Sequence, residues 1–378
     1  MLSASKSARF SLADVLTSCL AAIGGQGNAL TLPAADKAVV LLVDGLGATS
    51  LKASAGHART LAPLLNATTT AVSGFPTTTA SALASLTTGV PPGEHGLVGY
   101  EVLDAAHDRV VNQLSGWDDR LDPATWQRSS TVFQRAADAS VPAFAVGVER
   151  YRSTGFTQAV LRGAEYRAAV TIEERLAEAR RILDTHERAL VYVYVPELDQ
   201  AAHKHGWQSG AWTDRLEELD VAVRTFAAGL GRREGLILTA DHGIVDIATH
   251  NHVLFDSDPG MLDGIRHIAG EPRCLQLHFE TDASASVREA VTARWRESET
   301  SRAWVFTRAE AIANGLFGAS VHPEVEPRIG DLLVAARKAI AYYDGRDPQG
   351  SGRTMVGQHG SMSRDELLVP ILRFGAFG

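Results

Sequence analysis

The run AVVLLVDGLG, residues 38–47, is the clearest indication of the fold in this chain. Its first six residues are apolar and largely β-branched without alternation, which is typical of a parallel strand buried on both faces. Asp44 stands where such a strand ends, and Gly45 and Gly47 allow a sharp turn and a close approach of a ligand to the backbone. A carboxylate here can bind a metal ion or cap a helix, and the run alone leaves both roles open.

Three further runs have the same character, and patterns typical of helices separate them. The clearest helix is predicted over Thr171–Leu183, where Thr171 and Glu174 form a capping-box pattern. Strands that alternate with helices predict an α/β fold, a three-layer sandwich with a mostly parallel central sheet flanked by helices. In such sheets, ligands bind beyond the carboxyl ends of the strands. The three runs are Val141–Val146, Ala189–Val195 and Leu236–Ala240.

The chain of 378 residues is long enough for one large domain and a smaller one. After about residue 260 the pattern changes to a strand-like run, Cys274–Phe279, followed by a helical stretch, Ala285–Trp295. We therefore predict a core formed by residues 1–259 and 352–378, with a small inserted α+β cap at residues 260–351.

Near the C-terminus the sequence predicts a loop and a last strand. The glycine- and charge-rich stretch Gly345–Arg353 is typical of a loop. The closing run Leu367–Leu372 is predicted to be a last strand. Because Pro370 cannot donate a ladder hydrogen bond, we expect it at an edge or a bulge.

The composition excludes some partners. A formal net charge of -8 argues against a nucleic-acid partner, although bound cations would still allow an anionic substrate. Cys19 and Cys274 are too few for a disulfide framework. Asp14 interrupts the N-terminal apolar segment, so we expect no signal peptide. No stretch reaches the ~18 apolar residues of a membrane span. We expect a cytoplasmic protein without a membrane partner; a homo-oligomer stays open.

Asp199 and His203 follow the predicted strand Ala189–Val195. Four residues apart on a helix, their side chains share one face and could reach the same metal ion. The alternative is an exposed Asp–His pair without a ligand.

Asp241 and His242 end the predicted strand Leu236–Ala240. Adjacent side chains on a regular strand diverge, so both could bind one ion only if the backbone leaves the strand, which Gly243 permits. His359 in GQHGS is a further candidate ligand, because its glycine neighbours allow close packing around an ion.

Thr79 lies in FPTTTASALASLTTGVPPGEHG, residues 75–96, at the start of a predicted helix. A hydroxyl there would face free backbone N–H groups and the positive end of the helix dipole, a setting that suits a phosphate. The alternative role is a helix N-cap, and Thr77 and Thr78 could compete for either role.

Taken in chain order, five motifs resemble the alkaline phosphatase superfamily, and within it most closely the type I phosphodiesterase/nucleotide pyrophosphatase family. The resemblance runs from about residue 37 to 361 and rests on VDGLG, FPTTTASALASLTTGVPPGEHG, ELDQAAHKHG, ADHG and GQHGS. It implies two bound divalent ions, zinc by the family pattern. One would be held by Asp199, His203 and His359; the other by Asp44, Asp241 and His242, with Thr79 bridging toward it.

The resemblance also implies an activity. Thr79 would be the nucleophile of a two-zinc phosphohydrolase, a phosphodiesterase or nucleotide pyrophosphatase that forms a phospho-threonine intermediate. Its substrate would be a small-molecule phosphate ester such as a nucleotide. The family's phosphate-binding Asn aligns with Tyr100, so the Tyr100 phenol or the backbone near Gly99 would have to replace it.

Two alternatives remain. A phosphonate or phosphomonoester hydrolase could use the same scaffold, because the cap and the pocket shape decide the substrate. A non-catalytic, metal-dependent binding protein would be expected to lack a ligand or the nucleophile, whereas all seven positions are filled here.

Overall fold

The computed structural model describes residues 10–346 and 351–378. Residues 1–9, which open the predicted core, and residues 347–350 of the predicted loop lie outside the described residues. Among the helices of the two described ranges, none combines the length and the apolar character that crossing a bilayer requires.

The central sheet confirms the predicted α/β architecture. Within the described residues it has eight strands. The last five strands in the order given below, which begin with Glu234–Thr239, run parallel to one another. The strand order is Phe10–Ser11, Thr70–Val72, Leu368–Gly375, Glu234–Thr239, Lys37–Val43, Ala189–Val195, Ala143–Gly147 and Glu165–Ala168.

The predicted strands match the observed ones to within a few residues. Lys37–Val43 lies in the middle of the sheet, and Ala38 to Val43 are fully buried, as expected for a strand covered on both faces. The prediction for Ala189–Val195 agrees at both ends.

Helices flank this sheet and supply part of its core. The predicted capping box is confirmed: Thr171 Oγ1 accepts the Glu174 N–H at 3.1 Å, and Glu174 Oε2 accepts the Thr171 N–H at 3.0 Å. The α-helices of the described residues are Ala13–Ile23, Ala48–Ala53, Thr79–Thr88, Pro92–His95, Pro123–Trp126, Val132–Asp138, Gly155–Val160, Ile172–Thr185, Glu197–His205, Gly210–Ala228, Ala285–Glu299, Arg308–Ala313 and Arg364–Leu367.

The last strand, Leu368–Gly375, is not an edge strand, so that part of the prediction was wrong. Residues 368–370 pair with Thr70–Val72, and residues 371–375 pair with Glu234–Thr239. Pro370 therefore sits where the strand passes from one neighbour to the other, a position at which a missing N–H is tolerated inside a sheet.

A second sheet is built from antiparallel pairs and packs beside the first. Its order is Ala303–Thr307, Leu332–Ala336, Cys274–Phe279, Ile265–Glu271, Glu101–Asp104 and Arg109–Asn112. Four of these strands fall in the predicted cap, residues 260–351, and two fall in the predicted core. The division into residues 1–259 with 352–378 and an inserted cap stays a proposal, and the cap side would have to include residues 101–112.

A buried ion pair joins the second sheet to the C-terminal part of the core. Arg273 donates from Nε and Nη2 to the two oxygens of Glu366 at 2.7 and 2.8 Å, and both side chains are fully buried.

Two short strand pairs return the chain to the core. His252–Leu254 pairs with Ala341–Tyr343, and Val245–Asp246 pairs with Gly357–Gln358. The second pair delivers His359, the next residue, to the edge of the central sheet.

Candidate functional site

Three carboxylates meet at one edge of the central sheet. The strands Glu234–Thr239, Lys37–Val43 and Ala189–Val195 are neighbours and run parallel, so their carboxyl ends lie side by side. Asp44 directly follows one of these strands. Asp241 follows another after one residue, and Asp199 lies in the first turn of the helix after the third. This is the position that the strand pattern predicts for ligand-binding residues.

Asp44, Asp241 and His242 form a fully buried group, with one potential ligand atom of each within 4.8 Å of the others. His242 Nε2 lies 3.5 Å from Asp44 Oδ1 and 3.3 Å from Asp241 Oδ2. Adjacent residues can reach one point because the backbone leaves the strand at this place. Gly243 makes this possible, since a Cβ there would come within 2.0 Å of the Asp365 carbonyl oxygen.

Each carboxylate of this buried group has one oxygen held by the protein and one left over. Asp241 Oδ1 accepts the backbone N–H groups of Gly45 at 3.0 Å and His242 at 2.9 Å. Asp44 Oδ2 accepts a hydrogen bond from the Tyr194 hydroxyl. Asp44 Oδ1 and Asp241 Oδ2 are buried without a hydrogen-bond partner. Orphaned oxygens are rare in a native interior, and a bound ion is one explanation for them.

Asp199, His203 and His359 form a second, half-buried group, again within 4.8 Å. His203 Nδ1 lies 2.7 Å from the Gly357 carbonyl oxygen, and His359 Nδ1 lies 2.9 Å from that of Thr77. A ring that donates from Nδ1 presents the lone pair of Nε2, which is how metal-binding histidines are oriented. Asp199 Oδ1 has no hydrogen-bond partner and is buried.

The two groups adjoin each other, and Thr79 lies beside them. The rings of His242 and His359 stack with centroids 3.6 Å apart. Thr79 Oγ1 is 3.2 Å from His242 Nε2. The competing threonines are placed differently: Thr77 bonds to the backbone of residues 360 and 361, and Thr78 occupies the N-cap position.

Burial and like charge set the electrostatics of the site. Burial, with Asp241 and Asp199 nearby, raises the pKa of Asp44 well above its ordinary value. Burial lowers the pKa of His203, but Asp199 more than compensates and raises it to about 9. Burial and the neighbouring imidazoles hold the pKa of His359 well below its usual range. Mixed Asp/His donors with free oxygens and nitrogens fit divalent cations of the zinc type.

A cavity of about 1110 Å³ opens onto both groups. Asp44, Thr79, Asp199, His203 and His359 all line it. Its other walls are rich in aromatic side chains: Tyr100, Trp117, Tyr151, Phe156, Tyr166, Tyr192, Tyr194, Phe255, Tyr342 and Tyr343.

Of the two residues expected to contact phosphate, only one lies on this cavity. Tyr100 lines it. Gly99 instead packs against the second sheet, where an added Cβ would meet Gln276 Nε2 at 2.7 Å.

Among the cavity-wall residues that sequence reasoning missed, Tyr194 and Glu271 bear most directly on the site. Tyr194 looked like one more residue of a buried strand, although a hydroxyl on such a strand needs a partner, and that was the available signal. Glu271, at the end of Ile265–Glu271, also lines the cavity and belongs to no motif.

Two proteins of known identity are similar in sequence to part of this chain. Ectonucleotide pyrophosphatase/phosphodiesterase 1 of Saccharomyces cerevisiae is 25% identical over 222 residues, half of this chain and 30% of that protein. A phosphopentomutase of Anaeromyxobacter sp. (strain K) is 30% identical over 127 residues, 33% of this chain and 31% of that protein. The matched part thus spans about a third of the length of these curated relatives.

Solved structures share the fold. Murine ectonucleotide pyrophosphatase/phosphodiesterase 5 superposes with a TM-score of 0.66 at 15% identity, over 90% of this chain and 88% of that one. An inactive variant of the same murine protein in complex with AMP gives a TM-score of 0.67 at 14% identity. At such identities the likeness supports the fold alone.

The family model described as type I phosphodiesterase / nucleotide pyrophosphatase matches residues 38–362, most of the chain. That range contains the strand ends, Thr79 and His359. The chain belongs to the type I phosphodiesterase/nucleotide pyrophosphatase family.

Proposed function

We propose that this protein is a two-metal phosphohydrolase that cleaves phosphodiester or pyrophosphate bonds of small molecules such as nucleotides, with Thr79 as nucleophile. One observation carries the proposal. Two groups of three ligand side chains adjoin Thr79, and three carboxylate oxygens in them are buried without a partner.

The residues of each group would hold one divalent ion. Asp44, Asp241 and His242 would bind one ion near Thr79; the ligands of the other would be Asp199, His203 and His359. Zinc suits this donor set. When bound, such ions lower the pKa of a coordinated hydroxyl and offset charge on phosphoryl oxygens.

The chemical step falls to Thr79. Its Oγ1 would lose its proton and form a bond to phosphorus, while the bond to the leaving oxygen breaks and that oxygen takes up a proton. The products are a phospho-threonine and an alcohol or phosphate. Water would then cleave the phospho-threonine and regenerate the hydroxyl. Thr79 opens the helix Thr79–Thr88, whose first N–H groups lack intrahelical acceptors and favour negative charge at this place.

The size of the cavity favours a substrate larger than a simple phosphonate. At about 1110 Å³ it exceeds the ~300–1,000 Å³ typical of small-molecule pockets. The binding of AMP to the murine relative's inactive variant agrees with a nucleotide-sized ligand. Tyr100 is the proposed phosphate contact on the cavity wall. The cytoplasmic location and the lack of nucleic-acid and membrane partners stay predictions from the sequence.

The test compares a diester with a monoester. Purified protein should contain about two zinc ions per chain and turn over bis-p-nitrophenyl phosphate faster than p-nitrophenyl phosphate. Thr79→Ala should keep its zinc and lose turnover by on the order of 10³-fold or more, while Thr79→Ser, which keeps a hydroxyl, should retain part of it. Faster monoester turnover would reject the diesterase; an active Thr79→Ala would remove Thr79 as nucleophile.

A further inference from the structure

The cavity wall formed by the second sheet carries a carboxyl group that neither metal group uses. Glu271 ends the strand Ile265–Glu271 and lines the same cavity as Thr79. Its side chain is buried, and Oε1 has no hydrogen-bond partner. A buried polar atom of this kind costs stability, so it requires an explanation.

Glu271 packs against residues that adjoin Thr79 and His359 in the chain. A Cβ at Gly360 would lie only 2.4 Å from Glu271 Cγ and 3.0 Å from Oε2, so the carboxyl occupies the space beside that glycine. Gly360 follows His359 directly. The Thr78 side chain is also near enough to the Glu271 carboxyl to lower its pKa, and Thr78 directly precedes Thr79.

The nearest arginine in the chain does not neutralise this carboxyl. Arg273 gives Nε and Nη2 to Glu366 and Nη1 to the carbonyl oxygens of Lys338 and Ile340, at 2.9 and 2.8 Å. Within the described residues, Glu271 forms no salt bridge of its own.

The surroundings favour the neutral carboxylic acid. Burial raises the pKa of Glu271 to about 8, and the negative charges of Glu366 and Glu101 act in the same direction. The Thr78 side chain lowers the pKa of Glu271 and so partly offsets the effect of burial. Thr78 Oγ1 and Glu271 Oε1 nevertheless have no hydrogen-bond partner. These surroundings favour the protonated form of Glu271, which has an O–H group to donate.

We propose that Glu271 is a further substrate-contacting residue: its carboxyl donates a hydrogen bond to a non-bridging oxygen of the phosphoryl group that Thr79 attacks. This inference rests on the proposed function. A donor fixed beside an oxygen that gains charge stabilises the transition state more than the ground state. The second sheet would thus take a direct part in the reaction, in addition to shaping the cavity.

The experiment uses the zinc-loaded full chain and three variants. Glu271→Gln keeps a donor in the same place, Glu271→Ala removes it, and Glu289→Gln changes an exposed glutamate of the helix Ala285–Glu299 as a control. Two quantities are measured: kcat/KM for bis-p-nitrophenyl phosphate, and the dissociation constant of inorganic phosphate by calorimetry.

We expect Glu271→Ala to lower kcat/KM by about 10²–10³-fold, the usual effect of removing one oxyanion donor, and to weaken phosphate binding by about 10-fold. Glu271→Gln should stay within about 5-fold of the unchanged protein, because its amide can still donate. Zinc content should be equal in all variants. The Tm of Glu271→Ala should change little, because removing a buried carboxyl with no partner at Oε1 offsets the packing lost beside Gly360.

Wild-type values in Glu271→Ala would overturn the proposal. Equal losses in Glu271→Gln and Glu271→Ala would also overturn it, because then the donor is not what matters, and so would a fall in Tm that accounts for the lost activity. If the unchanged protein cleaves neither diester nor monoester, the proposed function fails, whereas the phosphate dissociation constants still decide the role of Glu271.

Discussion

In the buried ligand group two carboxylates, Asp44 and Asp241, share one imidazole, whereas in the half-buried group one carboxylate, Asp199, faces two. The pKa of Asp44 is raised by burial and by its acidic neighbours. For Asp199, burial raises the pKa, but His203, at 3.2 Å, outweighs it and the net pKa is lowered. The two adjoining groups thus shift the pKa values of their carboxyls in opposite directions.

The two groups therefore differ in how they tolerate the absence of a cation. The buried group accumulates negative charge that only a cation, or protonation, relieves. The half-buried group neutralises itself through the Asp199–His203 pair, and His203 must lose its proton before Nε2 can bind a metal. We therefore expect the two groups to respond differently to the same substitution.

The largest expected effect tests what the groups share. Asp44→Asn and Asp199→Asn should each lower kcat/KM for a phosphodiester by on the order of 10³-fold or more. Each substitution weakens the binding of one ion, and each ion contributes a large part of the rate enhancement. Asp214→Asn, on the exposed face of the helix Gly210–Ala228, is the matched control and should be unchanged. If one of the two groups tolerates the substitution, that group does not hold a catalytic ion.

The next effect concerns stability without metal and has opposite signs in the two groups. After treatment with a chelator, Asp44→Asn should raise the free energy of unfolding by about 1 kcal/mol or more. The folded protein must either protonate the Asp44 carboxylate or keep it buried and repelled, and an amide has neither cost. Asp199→Asn should lower it by about 1–3 kcal/mol, because His203 loses its partner. Denaturant unfolding at pH 6 measures both changes, and shifts of the same sign would contradict the comparison.

The buried group was the more predictable of the two from sequence. Asp44 and Asp241 end apolar runs. Because strands alternate with helices along the chain, the strands are expected to be parallel, and their carboxyl ends then lie on the same side of the sheet. Asp199 and His203 follow from helical spacing. The glycine neighbours of His359 made it a candidate ligand, but only the family resemblance grouped it with Asp199 and His203. It meets Thr77 across 282 residues, a separation that no local pattern reports.

The contacts that support the site were beyond sequence reasoning. The Tyr194 hydroxyl meets Asp44 across 150 residues, and Arg273 pairs with Glu366 across 93. Both depend on how the sheets pack. For the same reason the cap boundary was drawn from a change of pattern near residue 260, while the second sheet also takes strands from residues 101–112.

A smaller effect tests the support of the buried group. Tyr194→Phe removes the hydrogen bond to Asp44 Oδ2 and should weaken zinc binding by about 10–100-fold, the usual effect of losing a partner of a ligand. Tyr192→Phe is a close control, because Tyr192 lies on the same strand and its buried hydroxyl has no hydrogen-bond partner. Competition with a chelating dye measures both affinities. Equal losses would show that the Tyr194 hydroxyl does not orient Asp44.

The smallest effect is the pH dependence of the half-buried group without metal. The pKa of His203 rises from 6.5 to about 9, so its contribution to stability is complete below pH 6.5 and is lost as the pH rises through about 9. The pKa of Asp199 is lowered from 3.8, so its contribution is present above that pH and is lost as the pH falls below it.

The stability difference between the unchanged protein and Asp199→Asn should therefore be largest between about pH 4 and 6.5 and shrink on both sides, by at most about 1.4 kcal/mol per pH unit. Unfolding titrations of the metal-free proteins from pH 3 to 10 measure this difference, and Asp214→Asn should show none. A difference that is flat across this range would mean that the pair is not ionic, and the contrast between the two groups would then lose its electrostatic basis.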